Sequence, residues 1–521
     1  MSVAARPDEG PHAAPGRTLA RTGAVSLLLV LTGSALAFGT TLLVSNRLGA
    51  EGAGVFFQIS AAFAILTTLC TFGADTGLVR FLAAGRATGR EHDAAALLST
   101  ALIPVAAAST GAAVVLWVAA PAVADLWAAD AEAGIRTAAP FIVVGSLMTV
   151  LFGALRGSGE IVRFAALQNL ALPLLRLAGL CAAIGIGAGI GTLSVAWAVP
   201  VLIVGAAAGL LLRRTLRHHR ASPAAGRNPA GQGSRPSRRS FWSFSSARGV
   251  SSGVEVLLEW IGVLAVAVFL GPAAAGVYGV VNRCIRLGSM LDHTARIVSG
   301  PALSAALAVG DTASAARLFN SVTRLLILGA WPLYLVYLLF GAPVLRIFGE
   351  GFDAGSGVFT VIAATMLLVV SAGGVQSVLL MSGRSRWQLL NKLAALAVAV
   401  TLNLLLVPAL GLYGAVIAWS SAALVDAGLA AVQVRFFLGI GLRPGVVALP
   451  AALALAVFGA GGWALRLATG PTLPGLFLLL VCGGAVYAGL VAVLRRPLGL
   501  ASLTANPGLP EPAEDMPVGR R

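Results

Sequence analysis

Long apolar windows, each of about 20 residues, recur along the whole chain and are separated by short segments with charge, glycine or proline. A helix of about 20 apolar residues crosses the hydrocarbon core of a bilayer, which is roughly 30 Å thick. Charged residues make up 11% of the sequence, whereas a soluble chain carries roughly 25%. The sequence therefore predicts an all-α integral membrane protein.

The windows predict about 14 transmembrane spans, which we number in chain order. Span 1 follows Arg17 and Arg21 and contains Ala35 and Ala37, a spacing also found at signal-peptide cleavage sites. Because its apolar run continues to Val44, we expect an uncleaved transmembrane helix. The predicted spans are residues 22–45, 53–74, 95–119, 136–155, 165–187, 191–212, 250–270, 274–299, 321–345, 356–381, 389–408, 412–434, 446–468 and 473–494.

The distribution of basic residues predicts how the spans are oriented. If the N-terminus is cytoplasmic, 28 of the 36 arginine and lysine residues lie in cytoplasmic segments, four lie outside and four lie within spans. Basic residues collect on the cytoplasmic side of membrane proteins. We therefore expect both termini to be cytoplasmic. The same bias explains the net charge of +16 as an orientation signal, so we expect no nucleic-acid partner.

The longest cytoplasmic segment, residues 213–249, contains nine arginines and no acidic residue. Its proline, glycine and serine content predicts a disordered linker. Its charge would hold it near anionic lipid headgroups, so we expect membrane lipids as partners. Phe241, Trp242 and Phe244 would lead from the membrane interface into span 7.

The two halves on either side of this linker resemble each other at a constant offset of 222 residues. "LGAEGAGVF" (48–56) matches "LGPAAAGVY" (270–278), and "GIGTLSVAW" (189–197) matches "GLYGAVIAW" (411–419). Six spans per repeat predict two parallel lobes, an arrangement typical of alternating-access transporters. The predicted domains are a cytoplasmic tail (1–21), an N-lobe (22–212), a basic linker (213–249), a C-lobe (250–437), spans 13 and 14 (438–496) and a disordered C-tail (497–521).

Spans 7 and 8 carry charges at membrane depth. "VYGVVNRCIRLGSMLDHTARI" (277–297) places Arg283 about 13 Å and Arg286 about 18 Å from the outer end of span 8, at 1.5 Å per residue. Glu255 and Glu259 share one face of span 7, and Glu259 lies about 13 Å from its cytoplasmic end. A charge at the bilayer centre costs about 3 kcal/mol, so these charges should pair with each other or serve a function.

Two interpretations of these charges remain open. One is a buried ion-pair cluster that only joins spans 7 and 8. The other is a cavity site in which Arg283 and Arg286 bind a phosphate or pyrophosphate. In the second case Glu255 and Glu259 would balance the arginines of the empty site or couple transport to protons. We expect the set of Asp292, His293 and Arg296 to form a cytoplasmic entrance network, with a proton relay as the alternative.

Three further polar residues lie within or at the ends of spans. Arg176 in span 5 is either a second anion contact or part of a structural ion pair. Asp75, at the end of span 2, should pair with a nearby arginine such as Arg80. Asp426 in span 12 is either a hydrogen-bonded structural carboxylate or a site for a cation or proton.

The sequence offers little basis for catalysis. The four cysteines have no metal-ligand spacing, and no nucleotide-binding loop of the G-x-x-x-x-G-K type is present. The longest outside loop, about residues 120–135, has three acidic residues without a matching base or metal cluster. We therefore expect no enzyme activity, no disulfide, no metal and no cofactor.

Several stretches carry a resemblance to a known family. They include "NRLGAEGAGVFFQISAAFAILTTLCTFGADTGLVRFLAAGR" in the first half and "VFLGPAAAGVYGVVNRC", "VLRIFGEGFDAGS" and "VLLMSGRSRWQLLNKLAALAVAVTLNLLLVPALGLYGAVIAW" in the second. These stretches resemble bacterial polysaccharide flippases, the O-antigen and teichoic-acid exporters of the multidrug/oligosaccharidyl-lipid/polysaccharide superfamily. The resemblance covers residues 20–440 approximately and implies a fourteen-helix, two-lobed carrier in the bacterial cytoplasmic membrane.

The resemblance also implies a substrate, polyprenyl-pyrophosphate-linked saccharide, and leaves room for partners among the proteins that assemble cell-envelope glycans. The family's central cavity is typically cationic, and Arg283 and Arg286 match this by position, whereas span 1 carries no charge. A lipid II flippase is one alternative, and a cation-coupled multidrug and toxin extrusion antiporter is another. The antiporters usually place an acidic cation site in the N-lobe, where spans 1 and 2 offer only Asp75.

Overall fold

The structure is a computed structural model and describes residues 14–87, 94–128, 130–221, 237–382 and 384–498. Within these ranges the secondary structure is helical and contains no strand, which confirms the predicted all-α class. The first ten helices are α1 (Ala14–Thr71), α2 (Ala74–Ala87), α3 (Ala94–Val118), α4 (Ala120–Trp127), α5 (Ala131–Ala138), α6 (Phe141–Gly157), α7 (Ile161–Ala166), α8 (Leu172–Gly185), α9 (Ile190–Ala221) and α10 (Arg238–Leu270). The other ten are α11 (Pro272–Ala308), α12 (Thr312–Arg346), α13 (Ser356–Ser371), α14 (Val375–Met381), α15 (Ser385–Leu410), α16 (Leu412–Leu438), α17 (Pro444–Ala454), α18 (Gly462–Thr469), α19 (Leu473–Leu478) and α20 (Gly484–Val493).

Short irregular helices connect several of these elements. Three π-helical segments, Leu167–Ala171, Leu455–Gly461 and Leu479–Gly483, each join two consecutive helices into one continuous apolar rod. A 3₁₀ turn, Phe352–Gly355, leads into α13. Because a π segment adds one residue to a turn, it shifts the side chains that follow it to a new face of the helix.

Glycines mark breaks in the helical segments that contain the predicted spans. Spans 1 and 2 both fall in α1, which is interrupted at Gly49 (φ 67°, ψ −172°). Span 10 is divided into α13 and α14 by a short connection in which Gly373 has φ 72°. Positive φ is accessible to glycine at little cost because it lacks a Cβ.

By length and apolar composition, 11 of the described helices could cross a membrane. The number rises to 12 if α5 and α6, which meet at a bend of 47°, form one span. The chain is therefore a multi-pass membrane protein. This count is lower than the 14 spans that the sequence predicts.

The predicted linker and outside loop are more helical than expected. Helix α9 continues to Ala221 and α10 begins at Arg238, so both ends of the 213–249 segment are helical. The hydroxyl of Ser237 accepts a hydrogen bond from the Ser240 N–H and caps α10, and the fully buried Phe241 ring packs against Phe81. Residues 120–135, predicted as a loop, form α4 and most of α5. The linker's remaining residues, 222–236, lie outside the described ranges, as do 1–13 and 499–521 of the predicted tails.

The chain divides into two compact units. The first comprises Met1–Leu287, Leu345–Ile362 and Arg386–Asp426. Its helix α6 packs against α2, α3 and α9, while α1 packs against α8 and α10. The second comprises Gly288–Val344, Ala363–Ser385 and Ala427–Arg521. Its cores include one around Phe319, Val378 and Val434 and another around Phe340, Phe458 and Leu476. The lobes and domain boundaries predicted from the sequence stay a prediction. They rest on a repeat in the sequence, whereas the two units are defined by how the helices pack.

Candidate functional site

Arg286 of α11 and Glu259 of α10 form an ion pair in the first unit. The spacing of charges in spans 7 and 8 predicts this contact, and the structure brings the two side chains together. They remain 43% and 39% exposed, so the pair is accessible in spite of its apolar surroundings. The guanidinium carbon of Arg286 also lies 5.3 Å from the ring centre of the buried Trp260. Glu255 is exposed and, among the described residues, has no ion-pair partner.

Arg283, one turn earlier on α11, makes a different set of contacts. Its guanidinium carbon lies 3.6 Å from the ring centre of Phe57 in α1 and 5.6 Å from that of Trp260. One Nη donates a hydrogen bond to the Gly279 carbonyl at 3.2 Å. No carboxylate in the described ranges forms an ion pair with it. Ring faces stabilise a guanidinium without cancelling its charge, so Arg283 keeps both its charge and most of its five N–H donors.

Arg176 of α8 is held in a similar way by an aromatic residue. Its guanidinium carbon lies 3.9 Å from the ring centre of Trp197 in α9, and its Nε donates to the Trp197 carbonyl at 3.2 Å. The ion pair expected as one alternative is not formed with any described carboxylate. Trp197 packs edge-on against Phe56 at 6.0 Å, and Phe56 against Phe57 at 6.1 Å.

These contacts link the three arginines into one continuous set, which we call the arginine–aromatic cluster. It holds three positive charges and one carboxylate within apolar helices, and that carboxylate is bound to only one of the arginines. Planar guanidinium groups present paired N–H donors that match the oxygens of a phosphate. The cluster therefore offers the kind of donors that an anion such as a phosphate requires. Its members are Phe56, Phe57, Arg176, Trp197, Glu259, Trp260, Arg283 and Arg286.

The aromatic members of the cluster are absent from the sequence-based prediction. Trp260 directly follows Glu259, and an aromatic residue beside charged positions within a span is a signal for cation–π contacts. Phe57 carries no such local signal, because it is distant from Arg283 in the sequence. Its contact depends on how closely α1 approaches α11.

Two glycines allow that close approach. A Cβ added to Gly54 of α1 would overlap the carbonyl oxygen of Pro272, and one added to Gly276 of α11 would overlap the carbonyl oxygen of Ala50. At the offset of 222 residues, Gly54 corresponds to Gly276 and Ala50 to Pro272. The contact is therefore reciprocal: Gly54 meets Pro272, and Gly276 meets Ala50, the residue that corresponds to Pro272 in the other half. A reciprocal contact of this kind is typical of an interface between two repeats related by a twofold axis.

The predicted entrance residues lie further along α11, in the second unit. Arg296 donates to an oxygen of the Asp292 carboxylate from Nε at 2.8 Å, four residues apart on the same helix. The side chain of His293 lies outside the part of the structure that is described. The role of these residues as an entrance network stays a prediction.

Asp75 pairs with an arginine, as predicted, but the suggested partner Arg80 is wrong. Asp75 pairs with Arg156 of α6 at 3.1 Å, whereas the guanidinium carbon of Arg80 lies 4.3 Å from the ring centre of Phe244. The reason is a close helix crossing. Gly153 of α6 leaves no room for a Cβ against the Asp75 backbone, so Arg156, one turn later, reaches the carboxylate.

Asp426 is paired with the only lysine of the chain. Lys392 Nζ of α15 donates to the Asp426 carboxylate of α16 at 2.7 Å, and the two side chains are 23% and 14% exposed. This observation fits the expectation of a hydrogen-bonded carboxylate. The pair joins two neighbouring helices of the first unit.

We expect removal of one partner to destabilise the protein more than removal of both. Asp426→Leu leaves the Lys392 cation in an apolar environment, and the loss of one partner of a buried pair costs about 3 kcal/mol. The double variant Lys392→Met/Asp426→Leu should stay within about 1 kcal/mol of the original protein, because neither charge of this pair remains. The free energy of unfolding in mixed micelles measures both. A stable double variant that has lost transport would instead identify the pair as a site for a cation or proton.

Comparisons with known proteins address the family and the fold. A family model described as "Polysaccharide biosynthesis protein" matches residues 19–306. No curated protein matches the sequence significantly.

Three solved structures with a similar fold are a lipid II flippase and two multidrug transporters. The lipid II flippase MurJ in an inward closed conformation has a TM-score of 0.67 at 11% identity, over 90% of this chain and 98% of that one. An inward-facing multidrug resistance MATE family transporter of the MOP superfamily has a TM-score of 0.63 at 14% identity, over 80% of this chain and 98% of that one. The MATE multidrug transporter DinF-BH in complex with R6G has a TM-score of 0.56 at 15% identity, over 83% of this chain and 98% of that one.

The fold is thus that of MOP-superfamily transporters, and these neighbours are transporters and flippases rather than enzymes. The family suggested by the sequence resemblance is confirmed by the match to residues 19–306, more than half of the chain. The chain belongs to the polysaccharide biosynthesis protein family.

Proposed function

We propose that this protein moves polyprenyl-pyrophosphate-linked oligosaccharide or polysaccharide precursors from the inner to the outer leaflet of the bacterial cytoplasmic membrane. The observation that carries the proposal is the arginine–aromatic cluster, which keeps three guanidinium groups within apolar helices and neutralises only one of them. A pyrophosphate is the part of such a substrate that most needs compensating charge in the membrane.

In this proposal Arg283 and Arg286 hold the pyrophosphate, and Arg176 extends the cationic surface along the aromatic rings. Glu259 competes with the substrate for Arg286, so the empty site stays partly neutral. Glu255, exposed and without an ion-pair partner among the described residues, is the better placed carboxylate for proton coupling. Ion coupling is not obligatory, since a negative charge moved outward gains about 2.3 kcal/mol per 100 mV of inside-negative potential.

We propose a fourteen-span architecture with both termini in the cytoplasm. Two features account for the difference from the 11 or 12 helices that pass a test of length and composition. Helix α1 is interrupted at Gly49 and is long enough for two spans. Helix α11 carries Arg283, Arg286, Asp292 and Arg296, so its composition is unusually polar for a span. Counting the bent pair of α5 and α6 as one span, α1 as two spans and α11 as one more gives fourteen.

Two six-span lobes related by a parallel repeat, followed by spans 13 and 14, complete the proposal. The reciprocal contact of Gly54 and Gly276 supports the repeat, because equivalent residues of the two halves meet. By the predicted orientation this contact lies at the outer end of spans 2 and 8. Movement of the lobes would open it and expose the cluster to the outside. Asp292, His293 and Arg296 would form the cytoplasmic entrance network.

Two alternatives use the same fold. Similarity to MurJ keeps lipid II as a candidate substrate, and lipid II carries the same pyrophosphate. A multidrug antiporter is favoured by similarity to MATE transporters, but it needs an acidic cation site. The acidic residue at the end of span 2, Asp75, is already paired with Arg156.

Transport by liposomes that contain the purified full-length chain separates these functions. We expect a fluorescent polyprenyl-pyrophosphate oligosaccharide to cross the bilayer, and an excess of unlabelled lipid II to compete only if lipid II is a substrate. Empty liposomes are the control. Absence of lipid movement together with proton-dependent efflux of organic cations would contradict the proposal and favour the antiporter.

A further inference from the structure

A basic cavity lies in the second unit and shares no lining residue with the arginine–aromatic cluster. It has a volume of about 600 Å³ and lies among α12, α14, the end of α16 and the segment that precedes α17. Its apolar lining includes Phe319, Val375, Val434 and Ile440, all of which are buried. The cavity is therefore a partly open recess whose lining includes several buried apolar side chains.

Two arginines complete its lining. Arg435 and Arg443 are both exposed, and no carboxylate in the described ranges pairs with either guanidinium. The Arg435 guanidinium lies against Gly441, where a Cβ would come within 2.7 Å of its Nη1. The cavity thus combines an apolar interior with two cations whose positive charge is not balanced by a neighbouring acid.

The segment between α16 and α17 is fixed by a buried asparagine. The Asn320 side chain of α12 donates to the carbonyl oxygens of Ala316 at 2.7 Å and Gly441 at 3.4 Å, and it accepts from the Arg443 N–H at 3.1 Å. Gly439, with φ 66°, turns the chain at the end of α16. The backbone that carries Arg443 is therefore ordered without a ligand, so binding costs little loop entropy.

The neighbouring surface has the character of a membrane interface. Phe436 and Phe437 are 79% and 51% exposed, and the guanidinium carbon of Arg384 lies 5.5 Å from the ring centre of Phe437. Exposed aromatic rings and arginines at the end of an apolar helix are typical of the headgroup layer. The predicted orientation puts this end of α16 at the cytoplasmic leaflet, where anionic lipids concentrate.

We propose that this cavity binds an anionic diacyl phospholipid of the cytoplasmic leaflet. Arg435 and Arg443 contact the headgroup phosphate through charge-assisted hydrogen bonds, and the first methylenes of an acyl chain occupy the apolar interior. The apolar lining favours a lipid over free phosphate. This site is separate from the transport site, so the inference does not depend on the proposed substrate.

Lipid retention by the purified full-length chain tests the proposal. Native mass spectrometry compares phosphatidylglycerol with phosphatidylcholine of the same acyl chains, and a photoreactive phosphatidylglycerol maps the contact. We expect preferential retention of phosphatidylglycerol and cross-links within residues 431–444. In Arg435→Gln/Arg443→Gln the preference should fall about tenfold or more, given about 1 kcal/mol for each basic residue near an anionic lipid.

The matched control is Arg47→Gln/Arg466→Gln, which removes the same charge from two exposed arginines that the predicted orientation places outside. This variant should keep the preference. Equal losses in the two variants would show a general effect of surface charge and overturn the proposal. Displacement of the lipid by inorganic phosphate alone would also overturn it, because the site would then not require an acyl chain.

Discussion

Replacing Arg283 and Arg286 together by glutamine is expected to lower the rate of lipid-linked saccharide transport by about 100-fold or more, since each charge-assisted hydrogen bond contributes about 1.5–3 kcal/mol. Glutamine keeps a polar side chain of moderate length but removes the charge and the planar fork. Arg283→Lys should be intermediate, because lysine retains the charge but not the geometry that stacks on Phe57 and chelates a phosphate. The measurement is the initial rate of transbilayer movement in proteoliposomes.

Arg80→Gln provides a matched control for this experiment. Arg80 also lies over a phenylalanine ring, that of Phe244 at 4.3 Å, so the same substitution removes the same kind of contact outside the cluster. Near-normal transport by this variant would show that loss of a cation–π contact is not enough to stop transport. If the Arg283/Arg286 variant folds and transports as fast as the control, the arginines have only a structural role.

A single methyl group at Gly54 or Gly276 is expected to reduce transport strongly. Alanine forms helices more readily than glycine, so the helices themselves should be no less stable. The added Cβ would instead overlap backbone carbonyl oxygens of the facing helix and force α1 and α11 apart. Overpacking of this kind costs about 1–3 kcal/mol, which shifts a conformational equilibrium by a factor of roughly 5 to 150.

Thiol labelling distinguishes separation of the helices from misfolding. Ala53 is fully buried beside the contact, so Ala53→Cys should react slowly with a membrane-impermeant maleimide and faster when Gly276→Ala is added. Gly111→Ala is the control, because a Cβ there meets no atom within 4 Å. Normal transport with unchanged labelling in Gly276→Ala would show that the crossing tolerates the methyl group and is not required to close.

Contacts between helices that are adjacent in the sequence could be predicted, and distant contacts could not. The depth and spacing of Glu259 and Arg286 anticipate their ion pair, because α10 and α11 are consecutive and joined by a short turn. The same logic failed for Asp75. It favoured Arg80, five residues away, whereas a close crossing of α2 and α6 brings Arg156 to the carboxylate.

The aromatic half of the cluster shows a second limit of prediction from sequence. Hydrophobic patterning places Phe57 and Trp197 in spans but does not say which apolar neighbour faces which charge. The apolar window of span 7, which begins at residue 250, also underestimates the length of the helix, because α10 begins at Arg238. Ser237 caps α10 and Phe241 is buried, so the helix extends beyond its apolar window.

Stacking the arginines on aromatic rings has a consequence for how a bound anion is released. Arginine keeps its proton across the physiological pH range, so a change in pH cannot discharge Arg283. Release must come from geometry or from competition: the rings move apart, or a carboxylate such as Glu259 replaces the departing phosphate. The arginines of such a carrier would stay charged in acidic and neutral surroundings, so protons would act on binding and release through carboxylates such as Glu259 and not through the arginines that hold the cargo.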